Sequence, residues 1–123
     1  ALIVVDDSAV IKNFVSKIFN NQFEVLVAND GNEALQMISN NNGIKIVGML
    51  LDLNMPNFNG FQVLEYFKNN NLFDMIPVSI ITGVGDDELV AKAFNYPIVD
   101  VLRKPFNERD IKEVVEKTVQ YAH

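Results

Sequence analysis

The residues of this chain best suited to chemistry are Asp6, Asp7, Asp52, Thr82 and Lys104, and all sit at the ends of short apolar runs. Asp52 closes a stretch of Val47, Gly48, Met49, Leu50 and Leu51, with Pro56 and Gly60 in the loop beyond it. An isolated carboxylate is strongly disfavoured in a dry interior. Asp52 is therefore expected at a strand exit, facing cations or solvent. Asp6 and Asp7 follow Leu2, Ile3, Val4 and Val5 in the same manner. Thr82 follows Val78, Ser79, Ile80 and Ile81, and Lys104 follows Val101, Leu102 and Arg103.

Three gathered carboxylates repel one another unless cations intervene. Lys104 supplies one positive charge, and a divalent ion would balance the remainder. Oxygen donors without His or Cys suit Mg²⁺ or Mn²⁺. Such an ion, held by one or two carboxylates, keeps positions for water and phosphate oxygens, which suits metal-assisted phosphoryl transfer. Asp52 is then the candidate nucleophile, because carboxylates form aspartyl-phosphate intermediates. It needs no general base, being ionised at neutral pH. Lys104 and the metal would neutralise charge on the transferring group, and the Thr82 hydroxyl would donate to a phosphate oxygen.

These residues require a scaffold that gathers strand ends. Apolar runs at 2–6, 23–28, 45–51, 78–82 and 99–103 alternate with helical stripes, which predicts five βα units. Four of the runs are near-continuously apolar, as in a parallel sheet covered on both faces. Glu24 interrupts the run at 23–28 and marks it as an edge strand. The first helix follows Ser8, a plausible N-cap, and pairs Val10, Ile11, Phe14, Val15, Ile18 and Phe19. The second spans 32–39, the third begins near Gly60, and the fourth opens with Asp86, Asp87 and Glu88, acids suited to a helix N-terminus. Asn107 and Asp110 resemble a capping box for the fifth. Such alternation predicts an α/β fold, a doubly wound five-stranded parallel sheet with right-handed crossovers. Ligands of such sheets bind beyond the carboxyl ends of the strands, where all five singled-out residues lie.

The composition fits one globular domain over residues 1–123, with 49% hydrophobic and 21% charged residues. A net charge of −6, with only 10 Lys and Arg, argues against direct nucleic-acid binding. No apolar run approaches the length of a membrane span, and no secretory leader is visible. The absence of Cys excludes disulfides, thiolate metal sites and Cys nucleophiles, and it fits a cytoplasmic location. The Asn runs at 20–21, 40–42 and 69–71 fall where helices should end, a natural use of a residue that tolerates the left-handed conformation. The chain starts almost at its first strand, without Met, and stops after its last helix. It reads as a trimmed domain or as a single-domain protein shortened at its start.

The chain resembles the receiver domains of two-component response regulators. The matching segments are Ile3-Val4-Val5-Asp6-Asp7-Ser8, Asp30-Gly31 with Glu33-Ala34-Leu35, Leu51-Asp52-Leu53-Asn54-Met55-Pro56 with Gly60, Ile80-Ile81-Thr82, and Lys104-Pro105-Phe106. The resemblance implies a flavodoxin-like (βα)5 fold with strand order 2-1-3-4-5. It implies that Asp52 accepts phosphate from a histidine kinase or a histidine phosphotransfer domain. Asp7 and Asp52 would ligate Mg²⁺ directly, Asp6 largely through water, and Asn54 through its backbone carbonyl. A cis bond between Lys104 and Pro105 is also implied. The switch would repack the face formed by the fourth helix, fifth strand and fifth helix, for regulation of a partner, a linked output domain or a dimer mate. Phe94, Tyr96 and Ile98 offer an apolar patch there, with Tyr96 read as a half-buried ring carrying a solvated hydroxyl.

One departure stands out. The position three before Lys104 is usually aromatic in this family and is Val101 here, so a rotating ring cannot couple to Thr82. Asn54 and Val84 occupy the positions expected to tune aspartyl-phosphate lifetime. Two rival classes fare worse. An Asp-dependent phosphohydrolase would place a second Asp two residues after the nucleophile, where this chain has Asn54. A flavin or nucleotide carrier needs a Gly-rich or Ser/Thr-rich loop after the first strand, where Asp6 and Asp7 would repel phosphate. The expectation is a phospho-regulated switch and not a turnover enzyme. His123 is assigned no role.

Overall fold

A computed structural model describes residues 1–40, 43, 45–53, 60–83, 85 and 87–121. The expectations for Asn54, Pro56, Val84, Asp86 and His123 lie outside the described residues. The elements run β1 (Leu2–Val5), α1 (Ala9–Phe19), β2 (Val25–Ala28), α2 (Gly31–Ser39), β3 (Gly48–Asp52), α3 (Gly60–Asn69), β4 (Val78–Thr82), α4 (Asp87–Ala93), β5 (Val101–Arg103) and α5 (Glu108–Tyr121). All pairings are parallel, and the sheet order is β2-β1-β3-β4-β5. The doubly wound sheet expected from the sequence is present, and β2 is the edge strand that Glu24 suggested.

Strand alternation divides the interior into two cores. Ile3, Val5, Met49, Leu51, Val78 and Ile80 pack beneath α2, α3 and α4, with Phe67 and Leu64 at the centre. Leu2, Val4, Leu50, Ile81 and Leu102 face α1 and α5, meeting Val15, Phe19, Ile111 and Val115. Within the second layer Ser79 and Thr118 share a hydrogen bond of 2.5 Å, and Thr118 Oγ1 also donates to the Val114 carbonyl. A Cβ on Gly48 would approach Thr118 Cγ2 to 3.1 Å, so the small residue lets α5 lie close to β3.

Several boundaries differ from the sequence expectation, for reasons of pairing. The run at 45–51 becomes a strand only from Gly48, because β1 begins at Leu2 and pairs it with Gly48. The same strand extends to Asp52, which pairs with Ile81 of β4. Phe23 is withheld from β2, since its N–H donates to the Phe19 carbonyl and closes the end of α1. Contact with β4 begins at Val99, whose N–H donates to Val78, but the regular strand β5 starts at Val101.

Helix starts follow the capping chemistry. The Ser8 hydroxyl accepts from Ile11 N–H at 3.4 Å, and Asp30 accepts from Glu33 N–H at 2.9 Å while Glu33 reaches back to Asn29 N–H. Asn107 and Asp110 form a reciprocal capping box, with bonds of 2.9 and 3.1 Å. Among the Asn residues, Asn71 takes the left-handed conformation, at φ 55°, whereas Asn20 ends α1 in a right-handed one. No helix among the described residues is long and apolar enough to cross a membrane.

Candidate functional site

The carboxyl ends of β1, β3, β4 and β5 converge where the sequence placed its polar residues. Asp6, Asp7 and Asp52 each present a carboxylate oxygen, and these atoms lie within 4.8 Å of one another. Asp6 is fully buried, Asp52 is 3% exposed, and Asp7 opens to solvent. Asp6 is oriented by the start of α1, since its Oδ1 accepts from Ser8 N–H at 2.8 Å. Its Oδ2 is buried and accepts no hydrogen bond. The expected strand-exit setting of Asp52 is met by a cation more than by solvent.

That cation is Lys104. Its Nζ lies 3.4 Å from Asp52 Oδ2 and 3.5 Å from Asp6 Oδ2, the second an ion pair without hydrogen-bond alignment. Burial alone would lower the ammonium pKa, but the Asp52 and Asp6 carboxylates outweigh it and hold the group above its ordinary value. The backbone of Lys104 is pinned by a 2.7 Å bond from its N–H to the Thr82 carbonyl. The Lys104–Pro105 bond is cis, as the resemblance implied. Phe106 then turns onto α1, its ring 6.0 Å from that of Phe14. Val10, Ile11, Phe14, Pro105 and Phe106 form an apolar groove of about 370 Å³ with Lys104 in its wall. The sequence reading sets Val10 and Phe14 on one face with Val15 and Phe19, but Val10 is 77% exposed and Phe14 only partly buried, so the two, spaced four apart, line this flanking surface instead.

Thr82 ends β4 one residue past the partner of Asp52, with Arg103 opposite it. Its hydroxyl is fully buried and has no hydrogen-bond partner. An unsatisfied buried hydroxyl is costly, so this one is poised for an incoming acceptor. At the end of β3, Gly60 brings α3 against the chain: a Cβ there would lie 2.8 Å from both the Asp52 carbonyl and Leu53 Cα. Sequence reading placed Gly60 in the loop closure without anticipating this contact.

The donor set fits a hard divalent cation. It is composed of oxygens, one of them buried without a hydrogen bond and one on an exposed residue that leaves an approach from solvent. A net negative cluster with one ammonium also leaves charge for such an ion to balance. Asn54, expected to add a carbonyl, is outside the described residues.

In β5, Val101 is half-buried and packs against the α2–α4 layer. The Tyr96 hydroxyl is not merely solvated; it donates to Glu65 Oε2 at 2.5 Å. Its ring and Ile98 are half-buried, whereas Phe94 is 63% exposed.

Comparison with known proteins accords with this geometry. The family profile described as "Response regulator receiver domain" matches residues 2–116. The chemotaxis protein CheY1 of Helicobacter pylori is 33% identical over 119 residues, covering 94% of this chain and 93% of that protein. The transcriptional regulatory protein CpxR homolog of Haemophilus influenzae is 33% identical over 111 residues, which cover 89% of this chain and 46% of that protein. A response regulator receiver domain protein from Clostridium thermocellum superposes with a TM-score of 0.84 at 25% identity, over 98% of this chain and 94% of the other. With the matching strand order and a family match over nearly its full length, the chain belongs to the response regulator receiver domain family, the signalling domains of two-component systems.

Proposed function

We propose that this chain is a phosphorylation-activated switch in which Asp52 accepts a phosphoryl group from a histidine kinase or histidine phosphotransfer domain. The observation that carries the reading is Lys104 Nζ set between Asp52 and Asp6, with the buried, unpartnered Thr82 hydroxyl at the end of the next strand. An Asp52 carboxylate oxygen forms the new P–O bond, the P–N bond to the donor histidine breaks, and the departing imidazole takes the electron pair. Lys104 compensates charge that develops on the phosphoryl oxygens, and Thr82 donates to one of them. Asp6, Asp7 and Asp52, with the Asn54 carbonyl, would hold Mg²⁺, for which Mn²⁺ can substitute. When bound, the ion supplies Lewis-acid neutralisation of the transferring group.

The phosphoryl group would then leave by slow hydrolysis, with Asn54 and Val84 setting access for water, and no external substrate is turned over. Phosphorylation would change the α4-β5-α5 face to regulate a partner, a dimer mate or a covalently linked output domain. The longer CpxR homolog, of which the matched region covers 46%, supports the linked arrangement. Residues 1–123 form one receiver unit in this reading. It acts in the cytoplasm, without direct contact to nucleic acid or membrane. The acidic balance supports the lack of nucleic-acid contact.

Borohydride trapping tests the acceptor assignment. After phosphorylation with acetyl phosphate and Mg²⁺, reduction should convert residue 52 to homoserine in the peptide mass spectrum. Homoserine at Asp6 or Asp7 and not at 52 would refute it.

A further inference from the structure

Val101 is aliphatic, so the site needs some other physical route to the surface before β5. Such a route is visible in α3. At its first residue, Gly60 packs so closely on Asp52 and Leu53 that even a methyl group would collide with backbone at 2.8 Å. One and a half turns later Glu65 accepts the Tyr96 hydroxyl at 2.5 Å, across 31 residues of sequence. The Glu65 hydrogen bond, with help from burial and the Glu65 charge, holds the Tyr96 phenol above its ordinary pKa. The same ring lies 6.3 Å from Phe73, which meets the fully buried Phe67 of α3 edge-on at 5.4 Å. Tyr96 is thus fastened to α3 by its hydroxyl and through Phe73 by its ring. Its backbone anchors the segment before β5: Tyr96 N–H donates to the Ala93 carbonyl, and Ile98 N–H to the Tyr96 carbonyl at 2.8 Å.

We infer that the Tyr96–Glu65 hydrogen bond transmits the phosphorylation state of Asp52 to residues 94–98, with α3 as the connecting arm. A change in the backbone of Asp52 or Leu53 bears directly on Gly60 and so on the whole helix. Glu65 carries that displacement to Tyr96, which repositions exposed Phe94 and half-buried Ile98. Linkage makes the effect reciprocal, so whatever holds Tyr96 away from Glu65 changes the affinity of Asp52 for a phosphoryl mimic. The inference rests on the reading of Asp52 as the phosphoacceptor.

The test is amide NMR of the ¹⁵N-labelled protein titrated with Mg²⁺ and beryllofluoride, a phosphoryl mimic. In the unaltered chain the mimic should move the signals of Thr82 and Lys104 and those of Phe94, Tyr96 and Ile98. In Tyr96→Phe, which keeps the ring, the response at 94–98 should fall to about half or less while that at Thr82 and Lys104 persists. Glu65→Ala, at an exposed position, removes the acceptor and should do the same. The double variant should lose no more than either single, because both remove one interaction. An undiminished response at 94–98 in both single variants, additive losses, or no response at 94–98 in the unaltered chain would overturn the inference alone. No shift at Thr82 or Lys104 in the unaltered chain would remove the phosphoacceptor reading, and this inference with it.

Discussion

Asp52 ends a strand whose other residues, Gly48, Met49, Leu50 and Leu51, are buried, and its neighbouring charges are two carboxylates and one ammonium. That imbalance gives Lys104 two separable roles. In the proposed phosphotransfer it would neutralise developing charge, so Lys104→Met should slow phosphorylation by acetyl phosphate about 100-fold, measured by quenched-flow mass spectrometry. In folding it is the counter-ion of Asp6 and Asp52. Its pKa is raised in the native state, so the native chain holds this proton more tightly than the unfolded one. The stability it contributes is complete below the unfolded lysine value and fades as pH rises through the native value. The melting-temperature gap between the unaltered chain and Lys104→Met should stay constant from neutral pH upward and shrink only in the alkaline range above about 10. A gap that closed near neutrality would contradict the ion-pair assignment.

Among the elements, α3 and α5 each approach β3 closely at a position where a small residue permits it, Gly60 and Gly48 respectively. Gly60→Ala would drive a methyl group into the backbone of Asp52 and Leu53, which cannot yield as a flexible side chain would. The expected cost is about 1–3 kcal/mol in urea unfolding, with reduced phosphorylation because the end of β3 must shift. On the opposite layer, Thr118→Val leaves the Ser79 hydroxyl buried without its partner. It should destabilise by about 1–3 kcal/mol, whereas adding Ser79→Ala should restore part of the loss, since removing both partners is milder than orphaning one. A double variant as unstable as the sum of the singles would contradict this pairing. These contacts mark the limit of what was legible in the sequence. Strand runs and the Asn107–Asp110 box are local patterns, and both are present, the strands with shifted bounds. The end of β3 at Asp52 depended on Ile81 in another strand, and Tyr96–Glu65 depended on α3 meeting the connection from α4. Neither has a local signature.

For the whole molecule, gathering Asp6, Asp7 and Asp52 from two strand ends would make the proposed metal binding a property of the folded state. Mg²⁺ should therefore raise the melting temperature, with stabilisation of about 2.7 kcal/mol when its concentration is 100 times the dissociation constant. Asp7→Asn should weaken that rise without unfolding the chain, because Asp7 is exposed. An equal Mg²⁺ response in Asp7→Asn would argue against a shared site. The five strand-end residues stand out in the sequence because parallel sheets bind ligands beyond the carboxyl ends of their strands. The central claim, that Asp52 is a metal-dependent phosphoacceptor, is tested most directly by intact mass after incubation with acetyl phosphate. One added phosphoryl group is expected with Mg²⁺, with none after chelation or in Asp52→Asn; no adduct in the unaltered chain, or an equal adduct in Asp52→Asn, would contradict it.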